Sequence, residues 1–163
     1  MSGVGFTFTI DFPVVGDWEN VDQVRLSLQS CISHLFQNVD HRDLLAMVAG
    51  ELLENAVKYA HRTDEVTMFR LKIWGALGDV AFVQVSNPVD ADGATTALAS
   101  IEGIKSVSSV EEAYRTRMLA IASQPSRLSR LGLLRIAYEG GCELSGAVLD
   151  DVLTITAAVP HAS

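Results

Sequence analysis

The order of apolar and polar positions along the chain predicts alternating sheet and helix. Gly5 to Val14 reads Gly-Phe-Thr-Phe-Thr-Ile-Asp-Phe-Pro-Val. Apolar and polar residues take turns, the period-2 sign of a strand with one buried face. Pro13 is expected at its end or on a sheet edge, because proline cannot donate to a ladder. From Asp17 to Gln37 the period changes. Val21, Val24, Leu28, Cys31, Ile32 and Leu35 fall at helical spacing, with Asp17 as the expected N-cap.

A second helix is expected from Asp40 or His41 to about Ala60, capped by Asp40. Its buried stripe is Leu44, Leu45, Val48, Leu52 and Val57. Two strands follow, Asp64 to Gly75 and Asp79 to Asn87. The turn-like Gly75-Ala-Leu-Gly78 should join them as an antiparallel hairpin. Pro88 to Pro125 is rich in alanine, glycine and serine and patterned more weakly. It reads as a long variable loop with one or two short helices, Val110 to Ala122 being the helical part. Gln124-Pro-Ser126 introduces a helix over Arg127 to Glu139, stopped by Gly140-Gly141. A terminal hairpin, Cys142 to Val148 and Val152 to Val159, turns near Asp150-Asp151. These elements imply a single domain, residues 1–163, folded as an α/β (α+β) sandwich: one mixed, mostly antiparallel sheet with helices on one face.

Composition narrows the function classes. A chain of 163 residues with 48% hydrophobic and 20% charged residues suits one globular domain. A net charge of −8 argues against nucleic acid or an anionic membrane as a broad electrostatic partner. The start lacks the basic and apolar regions of a signal peptide, and no apolar run is long enough for a membrane span. A cytoplasmic protein with Cys31 and Cys142 reduced is therefore the expectation.

The segment with most chemistry is Gly50-Glu-Leu-Leu-Glu-Asn-Ala-Val-Lys-Tyr-Ala60. Glu51, Asn55 and either Lys58 or Tyr59 recur at spacings of four and then three or four, so they share one helix face. Asn55 could offer a side-chain oxygen to Mg2+. Glu51, one turn away, could orient or deprotonate an attacking hydroxyl, and Lys58 could bring positive charge to phosphates. The plain alternative is a solvated helix face, although asparagine is mildly unfavourable inside a helix.

Glu51-Leu-Leu-Glu-Asn55-Ala-Val-Lys58-Tyr59 resembles the N-box of the gyrase, Hsp90, histidine-kinase and MutL (GHKL) ATPase superfamily. The order of elements also resembles its Bergerat fold, and the size resembles its stand-alone anti-sigma-factor and serine-kinase domains. The resemblance implies Asn55 as the Mg2+ ligand, Glu51 as the catalytic or water-orienting carboxylate, and Lys58 and Tyr59 near the phosphates of ATP. It also implies an Asp-x-Gly-x-Gly motif after the hairpin, where this chain has Val85-Ser-Asn87-Pro-Val-Asp90-Ala-Asp-Gly93. Asn87 then stands in the place of the adenine-recognising aspartate; the alternative is an ordinary strand exit broken by Pro88. The last motif, Gly-x-Gly-Leu, is reduced to Gly132 in Ser126-Arg-Leu-Ser-Arg130-Leu-Gly132. Arg127 and Arg130 either compensate by charge or are surface residues. Residues 88–125 would be the ATP lid.

The function so implied is an ATP- and Mg2+-binding regulator acting on a protein partner in trans, as a serine/threonine kinase or weak ATPase. The alternative is a degenerate, non-catalytic interaction module. A homodimer through one apolar helix face stays open. An enzyme on an unrelated α/β sandwich has no catalytic constellation in its favour. His41 reads as a surface residue at a helix start. His34, His61 and His161 lack metal spacing, Trp18 and Trp74 read as core or interface aromatics, and no P-loop sequence occurs.

Overall fold

The computed structural model describes residues 3–14, 21–34, 36–60, 66–123 and 131–161. Five strands and five helices are described, β1 (Gly5–Val14), α1 (Val21–Ser33), α2 (Val39–Tyr59), β2 (Thr67–Ala76), β3 (Ala81–Pro88), α3 (Ala91–Ser106), α4 (Val110–Ser123), α5 (Gly132–Tyr138), β4 (Glu143–Leu149) and β5 (Val152–Val159). The strands lie in the order β1-β2-β3-β5-β4. Each of the four pairings is antiparallel, so the mostly antiparallel sheet expected is antiparallel at every described ladder.

Register explains why one face is dry. Ile10, Leu71, Val85 and Ile155 align across four strands, and Phe8, Ile73, Val83 and Ala157 form the next row. Leu71, Ile73, Val83, Val85, Ile155 and Ala157 are buried under the helices. The opposite face carries the intervening residues. There Gln84 Nε2 donates to Thr156 Oγ1 at 2.9 Å, and the Ser86 and Thr154 hydroxyls lie 3.0 Å apart. Arg70 grips Asp11 through two nitrogens at 2.6 and 2.8 Å, and Trp74 stacks on Phe82. An antiparallel sheet tolerates water on such a face.

Helix α2 is the spine of the covered face. Leu45, Val48, Ala49, Leu52, Leu53 and Ala56 are buried. Its cap is Asn38 and not Asp40: the Asn38 side chain accepts from His41 N at 3.1 Å, and Asp40 sits in the first turn. There a carboxylate favours the helix dipole without capping. His41 is also not a surface residue. It is 2% exposed, with its ring edge-on to Phe36 and tilted against His161.

Of the segment expected as a loop with one or two short helices, Val110 to Ala122 is helical as expected, in α4, while the stretch before it is the 16-residue helix α3. Asp90 caps α3 by accepting from Gly93 N at 2.7 Å. Gly93 sits so close to the end of α2 that a Cβ would lie 2.8 Å from the Tyr59 carbonyl oxygen. Ala97 and Ile101 bury one side of α3, and Gly146 of β4 admits Ile101 and Leu98. The terminal hairpin turns at Asp150 and Asp151, both at positive φ, as a two-residue turn demands. Asp17, Trp18, Leu35, His61, Asp64 and the Gln124-Pro-Ser126 helix start lie outside the described residues.

Candidate functional site

The C-terminal half of α2, the inner sides of α3 and α4, and the first turn of α5 enclose a cleft of about 1100 Å³. Asn55, Lys58 and Tyr59 line it from α2, and Leu133 and Leu134 from α5. Thr96, Ser100 and Ile104 of α3 and Glu112, Thr116 and Arg117 of α4 face them. Apolar walls carrying a few hydroxyls, two cations and the Glu112 carboxylate suit a mid-sized polar ligand, and the volume is slightly above the usual range of small-molecule sites.

Asn55 is 5% exposed. Its Nδ2 donates to the Glu51 carbonyl oxygen at 2.9 Å, one turn back on the same helix. That bond fixes the amide and leaves Oδ1 as the atom with acceptor capacity for a ligand. Lys58 is exposed, and its ammonium lies 5.0 Å from the centre of the buried Tyr59 ring. Burial of the Tyr59 body against the core and its position on the cleft wall follow from the helical period.

Glu51 sits behind this wall. Its side chain is 14% exposed, and Oε1 accepts from Arg135 Nη1 of α5 at 2.8 Å. Oε2 lies against Gly132: a Cβ there would be 2.6 Å from Oε2 and 3.1 Å from Asn55 Nδ2. Glu51 and Asn55, one turn apart on α2, therefore meet Gly132 of α5, which is distant in the chain. A side chain at Gly132 would make the Glu51 carboxylate shift. Arg135 also donates from Nε to Glu139 Oε2 at 2.6 Å, and the Tyr114 hydroxyl of α4 donates to Glu139 Oε1 at 2.7 Å. The Glu139 hydrogen bond and, behind it, the one to Glu51 hold the Arg135 guanidinium above its ordinary range, against some desolvation. Tyr114 is pushed up by its bond to Glu139. For Glu139, burial opposes ionisation, but Arg135 and Tyr114 together bring the carboxyl below its usual value.

Sequence reasoning missed Arg135. Its one local signal is the four-residue step to Glu139, which by itself marks an ordinary surface pair. Its bond to Glu51 spans 84 residues and has no sequence signature.

Asn87 is not brought to the cleft. It is 2% exposed on the helix-covered face of β3, and its Nδ2 donates to the Pro88 carbonyl at 3.0 Å. Arg127 and Arg130 lie outside the described residues. Among the described residues no group of three or more His, Cys, Asp or Glu could hold a metal, so a cation here would depend on Asn55, ligand oxygens and water. Among them, too, no helix is long and apolar enough to cross a membrane. Cys31 and Cys142 are unpaired, and burial pushes the Cys142 thiol up to about 12.

No protein-family model matches the chain, and no curated protein matches it in sequence. Its fold is nevertheless shared with a solved protein. A chain of the crystal structure of the SiaB-SiaC complex from Pseudomonas aeruginosa superimposes with a TM-score of 0.66 at 17% identity. The match covers 92% of this chain and 88% of that one. At that identity the likeness speaks to the sandwich fold alone.

Proposed function

We propose that this chain is an ATP- and Mg2+-binding regulatory domain that acts on a protein partner in trans. The observation that carries the reading is Asn55, a nearly buried amide on the cleft wall whose nitrogen is tied down and whose oxygen is not. Burying a polar side chain costs stability unless its groups are used, and a cation ligand is a use that fits a carbonyl oxygen. Lys58 and Arg117 bring positive charge to the same cleft. When bound, Mg2+ would neutralise charge on the phosphates. Asn55 would hold the metal, Lys58 would face the phosphates beside Tyr59, and Glu51 would accept the proton of the attacking hydroxyl. The γ-phosphoryl group would pass to that hydroxyl oxygen while ADP leaves. The fold neighbour comes from a complex of two proteins, which agrees with a partner supplied in trans. The acidic charge disfavours nucleic acid as that partner.

A second reading, a non-catalytic interaction module on the same fold, is favoured by the Glu51–Arg135 pair and by the seclusion of Asn87. ADP release from Mg-ATP, measured for wild type and Glu51→Ala, separates the two. A general base contributes about 10²–10⁴-fold, so the variant should lose at least tenfold. Equal rates in the two proteins would remove Glu51 from the chemistry and leave the interaction module.

A further inference from the structure

We propose that Arg135 is a positioning residue that holds the Glu51 carboxylate back from the cleft, and that α4 governs its release through Tyr114 and Glu139. This rests on the reading of Glu51 as the base of the ATP site. Asn55 lines the cleft, but Glu51, one turn earlier, does not. One oxygen of its carboxylate is held by Arg135 at 2.8 Å and the other is backed by Gly132. To reach a hydroxyl in the cleft, the carboxylate must leave the guanidinium.

The guanidinium is shared. Nη1 serves Glu51 while Nε serves Glu139, and the second oxygen of Glu139 is occupied by the Tyr114 hydroxyl. Tyr114 belongs to α4, and its neighbour Ala113 lines the cleft together with Thr116 and Arg117. The rings of Tyr114 and Tyr138 are 4.8 Å apart, so α4 grips α5 at this place. A ligand or partner that shifts α4 withdraws the hydroxyl from Glu139. Glu139 then competes for the guanidinium with its full charge, and the hold on Glu51 weakens. The chain Tyr114–Glu139–Arg135–Glu51 thus joins the outer helix of the cleft to the carboxylate behind it.

The test uses the full chain. ADP release from Mg-ATP and the Kd of a non-hydrolysable ATP analogue with Mg2+ are measured for wild type, Arg135→Gln and Tyr114→Phe. Both variants are expected to raise kcat at least threefold with Kd within twofold of wild type, and the gain should vanish when Glu51→Ala is added. A purely packing role for Arg135 would not raise turnover at constant affinity. Intact binding with turnover unchanged or lowered overturns the latch and leaves the ATP reading standing. Absence of analogue binding in every protein, wild type included, overturns both. Should Arg135→Gln fail to fold, Tyr114→Phe decides, since it deletes one hydroxyl and keeps the ring.

Discussion

Helix α2 buries a polar side chain near each end, and the two are handled differently. His41, near the start, is packed between Phe36 and His161, and its Nδ1 has no hydrogen-bond partner. Asn55, near the end, has its nitrogen satisfied and its remaining acceptor beside a large cleft. Burial by itself therefore does not mark a site. His41 is enclosed by rings and core, and its neutral form fits there at the cost of one unmet acceptor or donor. Asn55 stands where α2, α3, α4 and α5 leave space, with Glu51 and Gly132 in contact around it. The first end stabilises a fold, and the second has the composition of a binding wall.

Two substitutions sharpen that contrast, and a third sets the scale of global destabilisation beside them. The largest effect is expected from Leu52→Ala, in the buried stripe between the two ends. Truncating a buried leucine costs about 2–5 kcal/mol, and denaturant melting should show it for the whole domain, without separating one end from the other. Next is Gly132→Ala, whose new methyl would press on the Glu51 carboxylate and the Asn55 amide. The carboxylate is the far end of a flexible side chain and can swing aside, so the stability loss should lie at or below the roughly 1–3 kcal/mol of core overpacking. The same variant should weaken binding of an ATP analogue at least fivefold, while equal affinity would show that the contact at Gly132 does not shape the cleft.

The smallest effect belongs to the other end and appears only in acid. Burial, then the neighbouring His161, lowers the pKa of His41 below its ordinary 6.5. The folded protein keeps His41 neutral where the unfolded chain protonates it. Stability should therefore fall as pH drops through 6.5 and flatten below the folded-state value. His41→Leu should remove part of that acid slope in melts between pH 7 and about 5, and leave nucleotide affinity unaltered. An unchanged slope would assign the acid sensitivity to other groups.

Much of the fold was legible because one face of each strand and helix must be dry. The alternation in β1 and the stripe of α2 both state that directly. The segment after Pro88 misleads for a physical reason. Alanine is the strongest helix former, yet its small side chain gives little contrast between faces, so α3 reads as a loop. Asp90 and Gly93 look like remnants of a nucleotide motif, but they cap α3 and admit its close approach to Tyr59.

The candidate site was legible in part. Glu51 and Asn55 lie on one helix face by spacing alone, and Gly132 joins them in space. Arg135 was hidden because pairing across α2 and α5 depends on tertiary packing. Asn87 is buried on the helix-covered side of β3 with Val83 and Val85, where its amide bonds to its own neighbour and does not line the cleft.

The proposed nucleotide site depends above all on Asn55. Calorimetric titration with a non-hydrolysable ATP analogue and Mg2+, on wild type and Asn55→Ala, tests it most directly. Wild type is expected to bind saturably and with Mg2+ dependence, and the variant at least tenfold more weakly, with both proteins folded by circular dichroism. Equal affinity in the two proteins, or no binding at millimolar nucleotide, would contradict it and leave the cleft to another ligand.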